Sequence, residues 1–383
     1  MKRVLGLVLT VAMLPLAAPA MADPLRLTLP APTGRLPVGT ISLHLIDTAR
    51  IDELAPTPRL RELMVRLWYP AARSHLPFAG YLSPAHSGVL VEQVNAAAGT
   101  AYPADLLTFP THSRAGAPAG GTRHPVILFS PGYGDNVALH TGLAEELASR
   151  GYVVAAMDHT FDVAVVEFPD GRLEPLATDD DLDRSVATRV ADARFVLDQL
   201  GLIVEGQNPD FGHERLPAGL ARAMDLTRVA AFGFSRGSSA TVGIVAADRR
   251  VGAGLALDGN PLGPATLDRP FMLLGNRERH LPAVDPDWAA FYDRVGEPRR
   301  YAVVDGMGHG DFSDMTLFKE DVDLSTVGSV GPIDGERSLA IQRRYVTAWF
   351  DLVLRGRHSP LLDGESAGFP EVDFQPDSVP AHK

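Results

Sequence analysis

The chain contains no cysteine. Thiol nucleophiles, thiolate metal centres and disulfide frameworks are therefore excluded, and so is a lipid anchor built on a cysteine. Stability must come from burial instead, and 383 residues with 45% hydrophobic content are ample for a large core. Membrane-length apolar runs are missing too: Val4 to Leu14 is too short to span a bilayer and is followed by Pro15. Positive charge is in deficit, with a formal net charge of -12. That balance argues against nucleic acid as a partner and against electrostatic docking on anionic membranes. No stretch has the glycine spacing of a phosphate-binding P-loop or of a dinucleotide fingerprint, and there are no internal repeats or low-complexity runs.

What is there begins with Lys2 and Arg3, the apolar run and the small residues Ala20-Met21-Ala22. This is the layout of a secretory signal peptide over residues 1–22, with Asp23 as the first mature residue. Residues 1–22 hold no acid, so the mature chain would carry -14. The expected product is a secreted or periplasmic protein with no integral membrane segment after cleavage and, at most, transient contact with a lipid surface.

Downstream, Glu62 to Tyr69 reads as a strand ended by Pro70, and Ala71 to Thr111 reads as irregular. Residues 23–115 are therefore expected as an N-terminal extension packed on a core over 116–356. In that core, Val126 to Phe129, Tyr152 to Met157, Arg228 to Phe232, Gly254 to Leu257, Phe271 to Leu274 and Tyr301 to Val304 read as buried strands. Helical spacing separates them: Leu139, Leu143 and Leu147; then Val186, Val190, Ala193, Leu197 and Leu200, preceded by Asp179, Asp180 and Asp181. A last helix carries Ile341, Tyr345, Ala348 and Leu352, and residues 357–383 read as an irregular tail. Apolar strands alternating with helices predict an α/β fold, a mostly parallel sheet covered by helices on both faces.

Chemistry concentrates in Gly233-Phe234-Ser235-Arg236-Gly237, directly after a strand and before the small-residue run Ser238 to Ala247. A nucleophile elbow needs small residues two before and two after its serine, because strand and helix backbones close to near contact there. Gly233 and Gly237 meet that demand. A serine hydroxyl attacks only when an imidazole takes its proton and a carboxylate orients that imidazole. Of twelve histidines, His280 and His309 follow late strands; His309 lies in a glycine-rich turn, whereas His280 reads as a solvated loop residue. Asp258 ends the first strand after the nucleophile helix, with Asp285 and Asp287 as rivals one strand later. The backbone N–H of Arg236 and one from Ser130 to Asn136, with Tyr133 as candidate, would hold the developing oxyanion. Nothing suggests a cofactor or a metal site.

Val126 to Gly134, Tyr152 to His159, Gly233 to Gly237, Leu255 to Asp258 and His309 to Phe312, with Leu67-Trp68-Tyr69-Pro70 upstream, together resemble the secreted platelet-activating-factor acetylhydrolase family. The resemblance covers roughly residues 35–355. It implies an α/β-hydrolase fold with the acid one strand after the nucleophile, matching Asp258. It also implies a metal-free esterase that removes short or oxidised acyl groups from the sn-2 position of phospholipids. Pro131 departs from the histidine often found before the oxyanion-loop glycine, and Tyr133 and Arg236 depart at positions expected to crowd the acyl pocket. Competing readings are a general carboxylesterase, lipase or polyester hydrolase using the same groups, and an inert secreted binding protein on a hydrolase scaffold.

Overall fold

The computed structural model describes residues 25–177, 181–263, 266–324 and 329–375. The expected leader and Asp179 and Asp180 lie outside the described residues. In chain order the first elements are β1 (Val38–Ile51), β2 (Leu60–Pro70), β3 (Phe78–Gly80), α1 (Pro84–Ala98), β4 (Pro110–Ala115), β5 (His124–Ser130), α2 (Thr141–Ser149) and β6 (Val153–His159). A short hairpin, β7 (Val165–Glu167) and β8 (Leu173–Pro175), leads to α3 (Leu182–Val204), α4 (Leu220–Ala223), β9 (Met224–Phe234), α5 (Arg236–Ala247) and β10 (Val251–Leu257). The last elements are β11 (Leu267–Asn276), α6 (Arg277–His280), α7 (Pro286–Tyr292), β12 (Val295–Val304), α8 (Gly335–Arg355) and β13 (Val372–Phe374).

One sheet has the order β13-β12-β11-β10-β9-β5-β6-β2-β1-β4-β3. Its centre, β12 through β6, is parallel throughout. Strand side chains alternate between two apolar layers. Val126 and Leu128 join the layer that holds Val196, Val242 and Trp288 of α3, α5 and α7, while Ile127 and Phe129 join Leu143, Tyr345 and Trp349 of α2 and α8. Both faces of the sheet are thus covered, as the continuous apolar strands require.

Two segments differ from the sequence expectation. Residues 23–115 do not merely pack on the core: β2 pairs antiparallel with β6 from Leu63↔His159 to Trp68↔Val154, and β1, β4 and β3 continue the sheet. The stretch expected to be irregular contains α1, capped by the Ser83 side chain and stopped at Gly99 with φ 68°. Its apolar residues are diluted by alanine, glycine and histidine, so the helical period is faint in the sequence. At the other end, β13 adds an antiparallel edge strand to β12, a pairing that three residues with little apolar pattern do not announce.

Along α3, Ala193, Leu197 and Leu200 are buried as expected, but the first half of the helix departs from the stripe, with Val186 and Val190 only half-buried. Ser185, Arg189 and Asp192 point inward, where an apolar stripe through Val186 and Val190 was expected. Their charge is matched: Asp192 accepts from Arg61 Nη2 at 2.7 Å and Nε at 3.1 Å, from Arg50 Nη2 at 2.8 Å, and lies 2.9 Å from His159 Nδ1. Burial alone would raise the Asp192 carboxyl, but Arg61 and the bond from His159 hold it far below the usual range. This cluster joins β1 and β2 to β6 and α3. Asp192→Ala strands a buried guanidinium, and should lower stability by about 3–5 kcal/mol in chemical denaturation at neutral pH; a loss under 1 kcal/mol would mean that the cluster is not holding these elements together.

Candidate active site

The parallel strands end on one edge, and the residues singled out in the sequence meet there. Ser235 sits between β9 and α5 with φ 54° and ψ -120°, a strained position for a residue with a side chain. The crowding around it is severe: a Cβ on Gly233 would lie 2.0 Å from the Gly237 carbonyl oxygen, and one on Gly237 would lie 2.0 Å from that of Ser130. Only glycine fits at either place.

His309 begins a 3-10 turn after β12, held by Gly310 N–H donating to Ser329 O at 2.7 Å and Gly308 N–H donating to Asp311 Oδ2 at 2.7 Å. Its Nε2 lies 3.0 Å from Ser235 Oγ and its Nδ1 2.5 Å from Asp258 Oδ2. Asp258 ends β10 with φ 47° and is fully buried. It also accepts from Asn276 N–H at 2.6 Å and from the Asn276 amide at 2.8 Å. Burial would raise this carboxyl, but the His309 bond, the nearby His280 and the Asn276 N–H hold it below the usual carboxylate range.

The rivals fall elsewhere. His280 is not solvated: it is buried, stacked on Trp288 at 3.7 Å, with Nδ1 2.8 Å from Asp285 Oδ2. Burial lowers its basicity. Asp285 caps α7 through Trp288 N–H, and Asp287 is exposed in the first turn of that helix. Neither carboxylate reaches His309. Asn276, which braces Asp258, carried no signal beyond its place at a strand end.

A second Ser-His-Asp arrangement lies within the core. Ser130 Oγ is 3.0 Å from His159 Nε2, and His159 Nδ1 is 2.9 Å from Asp192. All three are buried, and Arg189 donates to the same hydroxyl at 3.1 Å. Burial pushes His159 down to about 4, and no substrate-sized cleft opens at Ser130. Hydrogen-bond distances alone therefore do not single out Ser235; access does.

Ser235 and His309 open onto a cleft of about 1060 Å³, part of it open to solvent. Its walls are apolar. Leu90, Val91 and Val94 come from α1, Leu106 and Leu107 from the segment after it, and Phe318, Val322 and Leu324 from the chain after His309. Tyr133 lines the cleft, but the Arg236 side chain does not. Its guanidinium lies over the Tyr133 ring at 3.8 Å and reaches Asp162 Oδ1 at 3.5 Å, so the expected crowding of the acyl pocket by Arg236 does not occur.

The sequence profile for platelet-activating factor acetylhydrolase, isoform II, matches residues 23–169. The chain is 27% identical over 395 residues to a probable 1-alkyl-2-acetylglycerophosphocholine esterase of Arthroderma benhamiae, covering 93% of this chain and 95% of the other. It is 24% identical over 263 residues to the platelet-activating factor acetylhydrolase of Cavia porcellus, covering 59% and 58%. Among solved structures, the ferulic acid esterase from Streptomyces cinnamoneus superposes with a TM-score of 0.77 at 36% identity, covering 91% of this chain and 98% of that one. These matches support the isoform II platelet-activating factor acetylhydrolase family. The chain has the α/β-hydrolase fold and is a carboxylic ester hydrolase.

The turn that carries His309 is anchored by Asp314, which accepts from Gly142 N–H and the Tyr81 hydroxyl, each at 3.1 Å. Burial outweighs these bonds and pushes the Asp314 carboxyl up to about 7. A folded value above the unfolded one means that its contribution is fully present below the unfolded value and is lost as pH rises through about 7. Asp314→Asn should therefore lose less stability than wild type between about pH 5 and 8, by up to about 3 kcal/mol, in denaturant titrations at the two ends. Parallel losses in the two proteins would show that Asp314 does not titrate there.

Proposed function

We propose that this protein is an exported serine esterase in which Ser235 is the nucleophile, His309 the general base and Asp258 its orienting acid. Support comes above all from one observation: His309 bridges a strained, cleft-facing serine and a fully buried carboxylate, at 3.0 and 2.5 Å. Ser235 Oγ attacks the ester carbonyl carbon while His309 Nε2 takes the hydroxyl proton, and Asp258 stabilises the imidazolium. The oxyanion is received by the backbone N–H groups of Tyr133 and Arg236. Collapse breaks the bond to the alkoxide, which leaves as the alcohol with the proton from Nε2. Water then gives a proton to Nε2 as it attacks the acyl-enzyme, and a second collapse frees the acid and restores Ser235.

The substrate proposed is an ester with a short or oxidised acyl group, of the sn-2 phospholipid kind named for the Arthroderma relative. The apolar cleft walls favour uncharged acyl groups over chains oxidised to a terminal carboxylate. A second reading, an ester of an aromatic acid, is favoured by the 36% identity to the ferulic acid esterase. Export is proposed from Lys2, Arg3, the apolar run and Ala20-Met21-Ala22. Among the described residues no helix is long and apolar enough to cross a membrane.

Ser235→Ala should abolish turnover with the fold intact, and Asp258→Asn should cost roughly three to four orders of magnitude in kcat, while Asp285→Asn is mild. Kinetics on one short p-nitrophenyl ester decide this, and a crippled Asp285→Asn beside a near-normal Asp258→Asn would move the acid one strand later. For substrate class, rates should be compared across acetyl to long-chain p-nitrophenyl esters, a 1-alkyl-2-acetyl phospholipid and methyl ferulate. The first reading expects the acetyl phospholipid and short esters to lead; a clear lead for methyl ferulate establishes the second, and a maximum at long chains points to a lipase.

A further inference from the structure

Arg189 is wholly buried on α3, yet three of its five hydrogen bonds go to Ser130 at the end of β5 and to the two residues that follow it. Nη1 donates to the Pro131 carbonyl and, at 3.1 Å, to Ser130 Oγ. Nη2 donates to the Gly132 carbonyl at 3.0 Å and to the Asp162 carbonyl at 3.2 Å, and Nε donates to Asp162 Oδ2 at 2.5 Å. One guanidinium thus collects two successive carbonyls, Pro131 and Gly132. The planar fork suits this task, because it presents several donors in fixed directions, which an ammonium does not.

A trans peptide directs its C=O and the next residue's N–H to opposite sides, and among the described residues the cis bond is at Glu297-Pro298, not here. With both carbonyls drawn to Arg189, the N–H groups of Gly132 and Tyr133 face the other way. Gly132 N–H donates to Asp135 Oδ2 at 3.2 Å, and that carboxylate is itself 2.6 Å from His140 Nε2. By the same geometry the Tyr133 N–H points away from Arg189, and Tyr133 itself lines the cleft with Ser235 and His309. The positive charge is matched by Asp162, so what Arg189 adds is orientation rather than a field at the ester.

We propose that Arg189 is a positioning residue for the oxyanion site, setting the Gly132-Tyr133 peptide plane so that the Tyr133 N–H meets the developing negative charge. This rests on the reading in which Tyr133 supplies one of the two donors. A loosened plane weakens the transition state and leaves ground-state binding in the apolar cleft untouched, so kcat falls and KM does not.

The test uses Arg189→Lys, which keeps a cation beside Asp162 but cannot hold both carbonyls, and Arg189→Ala, with Ser235→Ala made in parallel. Folding is checked by thermal melts, and kcat and KM are measured on a short p-nitrophenyl ester, with inhibition by a trifluoromethyl ketone, whose adduct carries an oxyanion, and by its methyl ketone counterpart. Arg189→Lys is expected to lose about 10- to 100-fold in kcat, approaching the loss of a whole oxyanion donor, with KM changed less than about threefold. Binding of the trifluoromethyl ketone should weaken in step with kcat/KM, while binding of the methyl ketone holds. Guanidinium ion at sub-denaturing concentration should restore part of kcat to Arg189→Ala. Folded Arg189→Lys with near-normal kcat, or equal weakening for both ketones, overturns the proposal while an inactive Ser235→Ala leaves the esterase reading standing. Activity in Ser235→Ala would instead overturn that reading, and the proposal with it.

Discussion

Backbone segments crowd together under Ser235 so closely that only glycine fits between them, and the candidate site is arranged around that contact. Gly233 and Gly237 bring the end of β9 and the start of α5 within van der Waals contact, and Gly237 in turn packs on the Ser130 carbonyl. Gly259, directly after Asp258, lies so close to the Ser235 carbonyl that a Cβ there would stand 2.0 Å away. Three chain segments from three different strands are thereby locked edge to edge. The loop after β5, the elbow and the Asp258 turn cannot shift independently, and that coupling holds Ser235, Asp258 and the candidate oxyanion donors in one frame.

Beneath that frame runs a charged interior. Arg61 and His159 meet at Asp192, His159 reaches Ser130, and Arg189 joins Ser130 to Asp162. Isolated charges at such depth are costly, and these persist because each is bonded to an opposite charge or a carbonyl. The same network contains a serine, a histidine and an aspartate at hydrogen-bonding distances. Its burial makes it structural, whereas similar distances at the sheet edge are open to an ester.

The cleft is a composite. Its floor belongs to the strand ends shared by α/β-hydrolases, but its apolar walls come from α1, the chain after α1 and the stretch following His309. On the reading proposed above those walls select the acyl group, and none lies in the turns that hold Ser235, Asp258 and His309. Relatives named for different esters on one framework are what such a division of labour produces.

Much of the fold was legible because buried parallel strands are apolar on both faces and local in sequence: β5, β6, β9, β10, β11 and β12 each read as short apolar runs. Ser235, Asp258 and His309 stood out because glycines and strand ends mark sharp turns, and a sharp turn is a local property. Tertiary structure alone decided the rest. The entry of β1 and β2 into the sheet, the inward face of Arg189, the burial of His280 and the service of α1 as a cleft wall all depend on contacts with other segments of the fold, such as β2 with β6, Arg189 with the loop after β5 and His280 with Trp288. A sequence period shows that a residue is apolar or polar. Whether a buried arginine finds its carbonyls, or a helix its cleft, is settled only when distant segments pack.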